Sequence, residues 1–187
     1  MKVLLGLTGA SGSIYGITLL RTLREKGVDV QITITKTGHQ VCMYETGINI
    51  KDLANDLNVS CHDIDNLFAP PASGSHRLDA VIILPCSMGT LGRIAGGMSS
   101  NLLERAADVA LKEGFKLILA PRETPLNTIH LENMTKLAHA GAVIVPPSVA
   151  FYTKPETLED IILFHTGKIL DLLGLDHSLF SRWGNVE

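Results

Sequence analysis

Lys2-Val3-Leu4-Leu5-Gly6-Leu7-Thr8-Gly9-Ala10-Ser11-Gly12-Ser13 is an apolar run that breaks into a glycine-rich turn, with a helical pattern directly behind it. A run of that length and composition has the character of a strand covered on both faces. The glycines let backbone N–H groups approach an anion, and the start of the following helix favours negative charge. Ile14–Lys26 then places Leu19, Leu20 and Leu23 at helical spacing and ends at Gly27, a residue suited to the position just beyond a helix. Strand, glycine turn and helix in this order open a βαβ unit.

The same alternation continues along the chain. Asp29–Thr35, Ala80–Pro85, Lys116–Ala120 and Ala142–Val145 are nearly continuously apolar or rich in β-branched residues, and predict further buried strands. Leu102–Lys112, His130–His139 and Leu158–Leu173 predict helices that stop at Gly114, Gly141 and Gly174. This pattern predicts an α/β fold in three layers, with a mainly parallel sheet in the middle. The stretch 50–77 is the least regular, and its Ala69-Pro70-Pro71-Ala72-Ser73-Gly74-Ser75 segment reads as a mobile surface loop. No repeat or linker divides residues 1–187, so a single domain is expected.

Composition narrows the function classes. The 187 residues are 45% hydrophobic and 19% charged, and burial against other copies of the chain is the simplest outlet for the apolar surplus. A net charge of -3 argues against a general nucleic-acid binder. Three cysteines at wide spacing form neither a disulfide framework nor a CxxC metal site, which points to the reduced cytoplasm. Met1-Lys2-Val3-Leu4-Leu5 breaks at Gly6 and reads as a first strand, not a signal peptide. No apolar run approaches the roughly 18 residues that span a bilayer.

Polar loops follow the predicted strands. The turn at Thr8–Ser13 lacks GxGxxG spacing, and the second strand ends in Thr35-Lys36, where a dinucleotide fold puts an acid for the ribose. A mononucleotide suits that pair better. None of Tyr15, Tyr44 or Tyr152 has a lysine four residues on, so a short-chain dehydrogenase pattern is absent. Pro85-Cys86-Ser87-Met88-Gly89-Thr90-Leu91 makes a second polar crevice or an ordinary helix cap. Cys86 has no evident histidine partner and reads as a small buried residue. Pro121-Arg122-Glu123-Thr124-Pro125 is a proline-stiffened loop whose guanidinium either clamps an anion or forms a surface pair.

Further candidates admit two readings. Glu104, Arg105 and Lys112 share one helix and fit a solvated face or a site. Tyr152 is core packing or a phosphate-binding hydroxyl, and Lys168 interrupts the apolar face of the last helix, where snorkelling also accounts for it. Trp183, the only tryptophan, needs a core slot or a site to close. The seven histidines form no metal-type pair with a carboxylate or with each other, so no metal is expected.

Thr8-Gly9-Ala10-Ser11-Gly12, Pro85-Cys86-Ser87, the run Glu104–Lys112, Pro121–Pro125, Ile129-His130-Leu131-Glu132-Asn133-Met134, Phe151-Tyr152 and Arg182-Trp183 resemble the UbiX flavin prenyltransferase family in order and spacing, over essentially the whole chain. The resemblance implies a Rossmann-like or flavodoxin-like sheet, assembled as a homododecamer with sites at subunit interfaces. It implies that Gly9, Ala10, Ser11, Thr35, Ser87, Met88, Gly89, Thr90 and Arg122 hold FMN, with Thr35 where a serine is common. Lys112, Glu123, Tyr152 and Lys168 would surround the phosphate of dimethylallyl monophosphate, with Arg105 on the same substrate side. Lys168 stands where arginine is frequent, which keeps the charge but loses the bidentate fork. Trp183 would cover the prenyl and flavin region, with the tail 175–187 closing the site.

The chemistry so implied is metal-independent prenyl transfer. Loss of phosphate develops an allylic cation, N5 of reduced FMN attacks it, and a second bond to C6 closes a fourth ring. Fixed cations (Lys112, Arg122, Lys168) would stabilise the leaving phosphate, and Trp183 would shield the cation. Glu123 is expected as the phosphate-side acid/base and Glu45 as the group acting near N5. The prenylated FMN would serve a UbiD-type decarboxylase, in ubiquinone biosynthesis or in phenolic-acid breakdown. Flavin-dependent cysteine decarboxylases share the fold, but their catalytic histidine near the first helix and their Pro-Ala-Met-Asn type motif are missing here. A flavin carrier or non-catalytic subunit of an aromatic-acid decarboxylase is the binding-module alternative.

Overall fold

The structure is a computed structural model and describes residues 1–184. In chain order the elements are β1 (Lys2–Leu7), α1 (Ser13–Glu25), β2 (Asp29–Ile34), α2 (Lys36–Thr46), α3 (Ile50–Asp56), β3 (Ser60–His62), β4 (Ala80–Cys86), α4 (Met88–Ala95), α5 (Leu102–Glu113), β5 (Lys116–Pro121), α6 (Thr128–His139), β6 (Val143–Ile144) and α7 (Leu158–Leu173). Short 3-10 turns lie at Pro70–Ala72 and Phe151–Thr153. Every strand and helix expected from the sequence forms, with ends moved by a residue or two.

The strand order is β3-β2-β1-β4-β5-β6, and every pairing is parallel. The chain winds outward from β1 to β3, returns to the centre, and winds the other way from β4 to β6. The loops leaving β1 and β4 therefore diverge side by side at the carboxyl edge of the sheet. Open α/β sheets bind ligands in that crevice.

One face of the sheet presents Leu4, Val81, Ile83, Leu117 and Leu119 to Leu91 of α4, Leu103 and Ala106 of α5, and Leu137 of α6. Alternate strand residues point the other way, and α1 packs there. Its approach is close: a Cβ added at Gly16 would lie 2.5 Å from the Leu84 carbonyl oxygen and 3.0 Å from the Leu7 side chain.

The sequence pattern gives no bounds for α2, α3 or β3, and of α4 it offers only the cap at its start, which Ser87 forms. α2 buries only Gly38 and Cys42, so no apolar stripe announces it. The Ala69–Ser75 segment is also more ordered than a mobile surface loop. Ala69 and Pro71 are buried, and Arg105 Nε donates to the Ala72 carbonyl at 3.1 Å. Small apolar residues packing through one short turn leave no periodicity to read.

The chain falls into two compact units, Met1–Pro146 with the sheet and Pro147–Glu187 with α7 and the segment after it. The expected closing tail, 175–187, includes residues 185–187, which lie outside the described residues. No helix among the described residues is long and apolar enough to cross a membrane.

Candidate active site

Thr8 joins the two diverging loops. It is fully buried. Its Oγ1 donates to the Pro85 carbonyl at 2.8 Å and accepts the Ser87 N–H at 2.7 Å. Pro85 lies where the β4–β5 register shifts, between Ile83 and Cys86. Arg122 adds the β5 loop to the same knot. Its backbone N–H donates to the Cys86 carbonyl at 3.1 Å, and its Nε donates to the Ser11 carbonyl at 3.1 Å. The Gly9–Ser13, Ser87–Thr90 and Arg122 segments thus converge at the switch point.

The start of α1 is already occupied by an anion. Gly12, at φ 102°, adopts a left-handed turn that leaves its N–H and that of Ser13 facing α2. Glu45 of α2 accepts both, at 3.0 Å and 2.9 Å to Oε2. Partial burial pushes the Glu45 carboxyl up, but hydrogen bonds from the Ser11 side chain and from the Ser13 and Gly12 amides outweigh it and hold it below the usual carboxylate range. The glycine turn read from the sequence as an anion site therefore receives a carboxylate from its own chain. A Cβ on Gly9 would lie 2.7 Å from Thr37 Cγ2, so this glycine also serves the close approach of the β1 loop to α2.

The start of α4 differs. Ser87 caps it, its Oγ accepting the Thr90 N–H at 3.3 Å and donating to Thr90 Oγ1 at 3.1 Å. No acidic residue stands in its first turn, and the Met88 and Gly89 N–H groups are those that helix geometry leaves without an intrahelical acceptor. Gly89 is exposed, while Thr90 is buried and supports Ser87 and Arg93 from within. Thr35 caps α2, its Oγ1 accepting the Gly38 N–H at 3.0 Å. An amide-lined helix start to which no carboxylate is bonded among the described residues, with the Ser87 hydroxyl beside it, has the donor set an FMN phosphate requires. The residues fit that group.

The flavoprotein family model matches residues 1–170. The flavin prenyltransferase UbiX of Methanocaldococcus jannaschii is 47% identical over 186 residues, covering 100% of both chains. The chain belongs to the UbiX flavin prenyltransferase family. Among solved structures, AnUbiX (PadA1) in complex with FMN and dimethylallyl pyrophosphate matches with a TM-score of 0.96 at 41% identity, over 100% of this chain and 98% of that one. A dodecameric FMN-dependent UbiX-like decarboxylase from Escherichia coli O157:H7 matches with a TM-score of 0.94 at 44% identity, over 98% of this chain and 99% of that one.

Membership of the UbiX family makes the remaining expected residues a question of placement. α5 runs from the carboxyl edge, where the Leu102 N–H meets the Ile64 carbonyl, to the amino edge beside the start of β5. Arg105, Asp108 and Lys112 lie along one stripe of it. Arg105 is engaged with Ala72 and Asp108, and Lys112 with Glu113. Lys112 sits roughly 15 Å along the helix axis from its start. One chain therefore does not bring Lys112 to its own Ser11–Ser87 crevice. Glu123 is exposed and accepts the Thr124 N–H at 3.0 Å.

Within the second unit the Tyr152 and Trp183 rings meet edge to face at 5.2 Å. Trp183 is 79% exposed, so it fills no core slot in the single chain. Lys168 Nζ lies 3.9 Å from Asp171 Oδ2.

Two features escaped the sequence reading. Thr8 opens the recognised glycine run, but only the meeting of β1 with β4 makes its hydroxyl a bridge. Glu104 is not on a solvated face: it is fully buried, paired with Arg93 and hydrogen-bonded by Asn101 Nδ2 and the Ser100 N–H. Arg93 also reaches Thr90 Oγ1 at 3.4 Å, so this pair supports the α4 start from behind.

Proposed function

We propose that the protein joins the dimethylallyl group of a prenyl phosphate to N5 and C6 of reduced FMN, without a metal. The observation that carries this is the contrast between the two helix starts at the switch point. One holds the ionised Glu45 beside Ser11, and the other presents amides that no carboxylate takes among the described residues. Reduced FMN supplies the nucleophilic nitrogen and the ring carbon. Met88 and Gly89 amides with the Ser87 hydroxyl hold its phosphate, Thr90 backs Ser87 from within, and Thr35 adds a hydroxyl at the same carboxyl edge of the sheet, while Gly9, Ala10, Ser11 and Arg122 line the flavin end. Glu45 stays ionised at neutral pH and takes up a proton through Ser11 as the new bond forms.

The carbon–oxygen bond of the prenyl phosphate breaks with its electron pair going to phosphate, so the site needs cations around that group and a dry, π-rich wall beside the carbon. Tyr152, Lys168 and Trp183, all in the second unit, supply both. Lys112 serves the crevice of a neighbouring copy, because α5 carries it away from its own, and Arg105 stands on the same stripe of that helix on the substrate side. Glu123 protonates the departing phosphate. We place the chain in a cytoplasmic homododecamer, as a single functional domain whose tail covers the site, feeding a UbiD-type decarboxylase.

The test is incubation of reduced FMN with dimethylallyl monophosphate, and separately with the diphosphate, followed by mass analysis of the flavin. A flavin heavier by one prenyl unit is expected. Bound but unaltered flavin with both donors would overturn the proposal and leave a flavin carrier.

A further inference from the structure

Asp171 sits in the last turn of α7, where the helix dipole disfavours a carboxylate. Three cationic or basic groups surround it. Arg182 donates to both of its oxygens, from Nη2 to Oδ1 at 2.7 Å and from Nη1 to Oδ2 at 3.1 Å. His177 Nε2 lies 3.1 Å from Oδ1, and its side chain is 1% exposed. Lys168 Nζ is 3.9 Å from Oδ2, beyond hydrogen-bond distance.

The segment after α7 is seated on the helix by the same cluster. A Cβ on Gly167 would lie 2.6 Å from His177 Cε1 and 2.6 Å from Phe180 Cε1, so these rings occupy a notch that only glycine provides. Phe180 packs on Phe164 at 4.8 Å, Phe164 on Tyr152 at 6.0 Å, and Tyr152 on Trp183 at 5.2 Å. Arg182 immediately precedes Trp183 and spans the Phe180 ring at 5.5 Å. The hydrogen bonds from Arg182 lower the Asp171 carboxyl below its ordinary range, against partial burial, so it is charged at neutral pH.

We propose that Asp171 is a positioning residue for the prenyl-phosphate end of the reaction: its carboxylate pins the C-terminal segment through Arg182 and His177, setting Trp183 on Tyr152, and leaves Lys168 only loosely paired and free to turn to a phosphate. This rests on the assignment of Tyr152, Lys168 and Trp183 given above. The bidentate fork of Arg182 takes both carboxylate oxygens. Asp171 and, at longer range, Asp176 act on Arg182, which leaves the loosely held Lys168 ammonium as the group that meets an incoming anion.

Trp183 is the only tryptophan, so its fluorescence anisotropy in the full-length protein reads the segment directly. In Asp171→Asn, anisotropy falls, KM for dimethylallyl monophosphate rises about tenfold, and FMN affinity stays within about twofold. Arg182→Gln, at a half-exposed side chain, shows the same two changes and covers the case in which Asp171→Asn fails to fold. Unchanged anisotropy in the variants would overturn the proposal. So would lower anisotropy at unchanged KM, or a raised KM at unchanged anisotropy. If the wild-type protein makes no prenylated flavin, the functional assignment fails and the proposal with it, while the anisotropy change still identifies Asp171 as a structural clamp.

Discussion

Glu45 shows how one side chain changes the meaning of a motif. A glycine turn before a helix is an anion site by its geometry, and here the anion is a carboxylate from the neighbouring helix. Its folded-state pKa lies below the ordinary 4.5. Such a group stabilises the fold above its unfolded value, and the contribution is lost as pH falls through the folded value. Urea midpoints of wild type and Glu45→Gln should therefore differ at pH 7 and converge as pH drops below 4.5. A gap independent of pH would show that the charge plays no part. Cys86, close by, is chemically quiet. Burial pushes its thiol up to about 12, so it carries no thiolate near neutrality and is no nucleophile.

At the scale of elements, the site depends on how tightly α1 and α4 are held to the sheet. Gly16 lets α1 lie against the backbone of β4, and the Leu84 carbonyl it faces has no rotamer with which to give way. Gly16→Ala should cost about 2 kcal/mol by overpacking and shift Ser11–Ser13 outward. The expected result is a lower thermal midpoint together with weaker FMN binding, checked by calorimetry and flavin titration. A stable variant with native affinity would mean that α1 tolerates the displacement. The Arg93–Glu104 pair does the corresponding work between α4 and α5. It was hidden in the sequence because a helix face with charges reads as solvated until its packing partner is known.

At the scale of the molecule, the single chain is visibly incomplete as a surface. Phe68 is 100% exposed and Tyr44 93%, an arrangement that burial against further copies would relieve. The placement of Lys112 leads to the same expectation by a separate route. If Lys112 acts in a neighbour's crevice, then Lys112→Ala and Glu45→Gln chains, each inactive alone, should complement when co-assembled. Random mixing leaves about a quarter of the sites with both residues intact, measured as prenylated-flavin formation. No recovery on mixing would place both residues in one chain's site.

The sequence by itself determined the strand-and-helix alternation, the glycine turn, the polar loops at the ends of β1, β4 and β5, and the family resemblance, because these depend on local pattern: apolar runs, helix stops and residues a few positions apart. Only the tertiary structure decided which of those loops meet. The reversal of winding between β1 and β4 put Thr8 against Pro85 and Ser87. The crossing of α1 and α2 put Glu45 on the Gly12 and Ser13 amides, and the orientation of α5 carried Lys112 away. Each of these turns on residues 32 or more positions apart, where no periodicity in the chain records the contact.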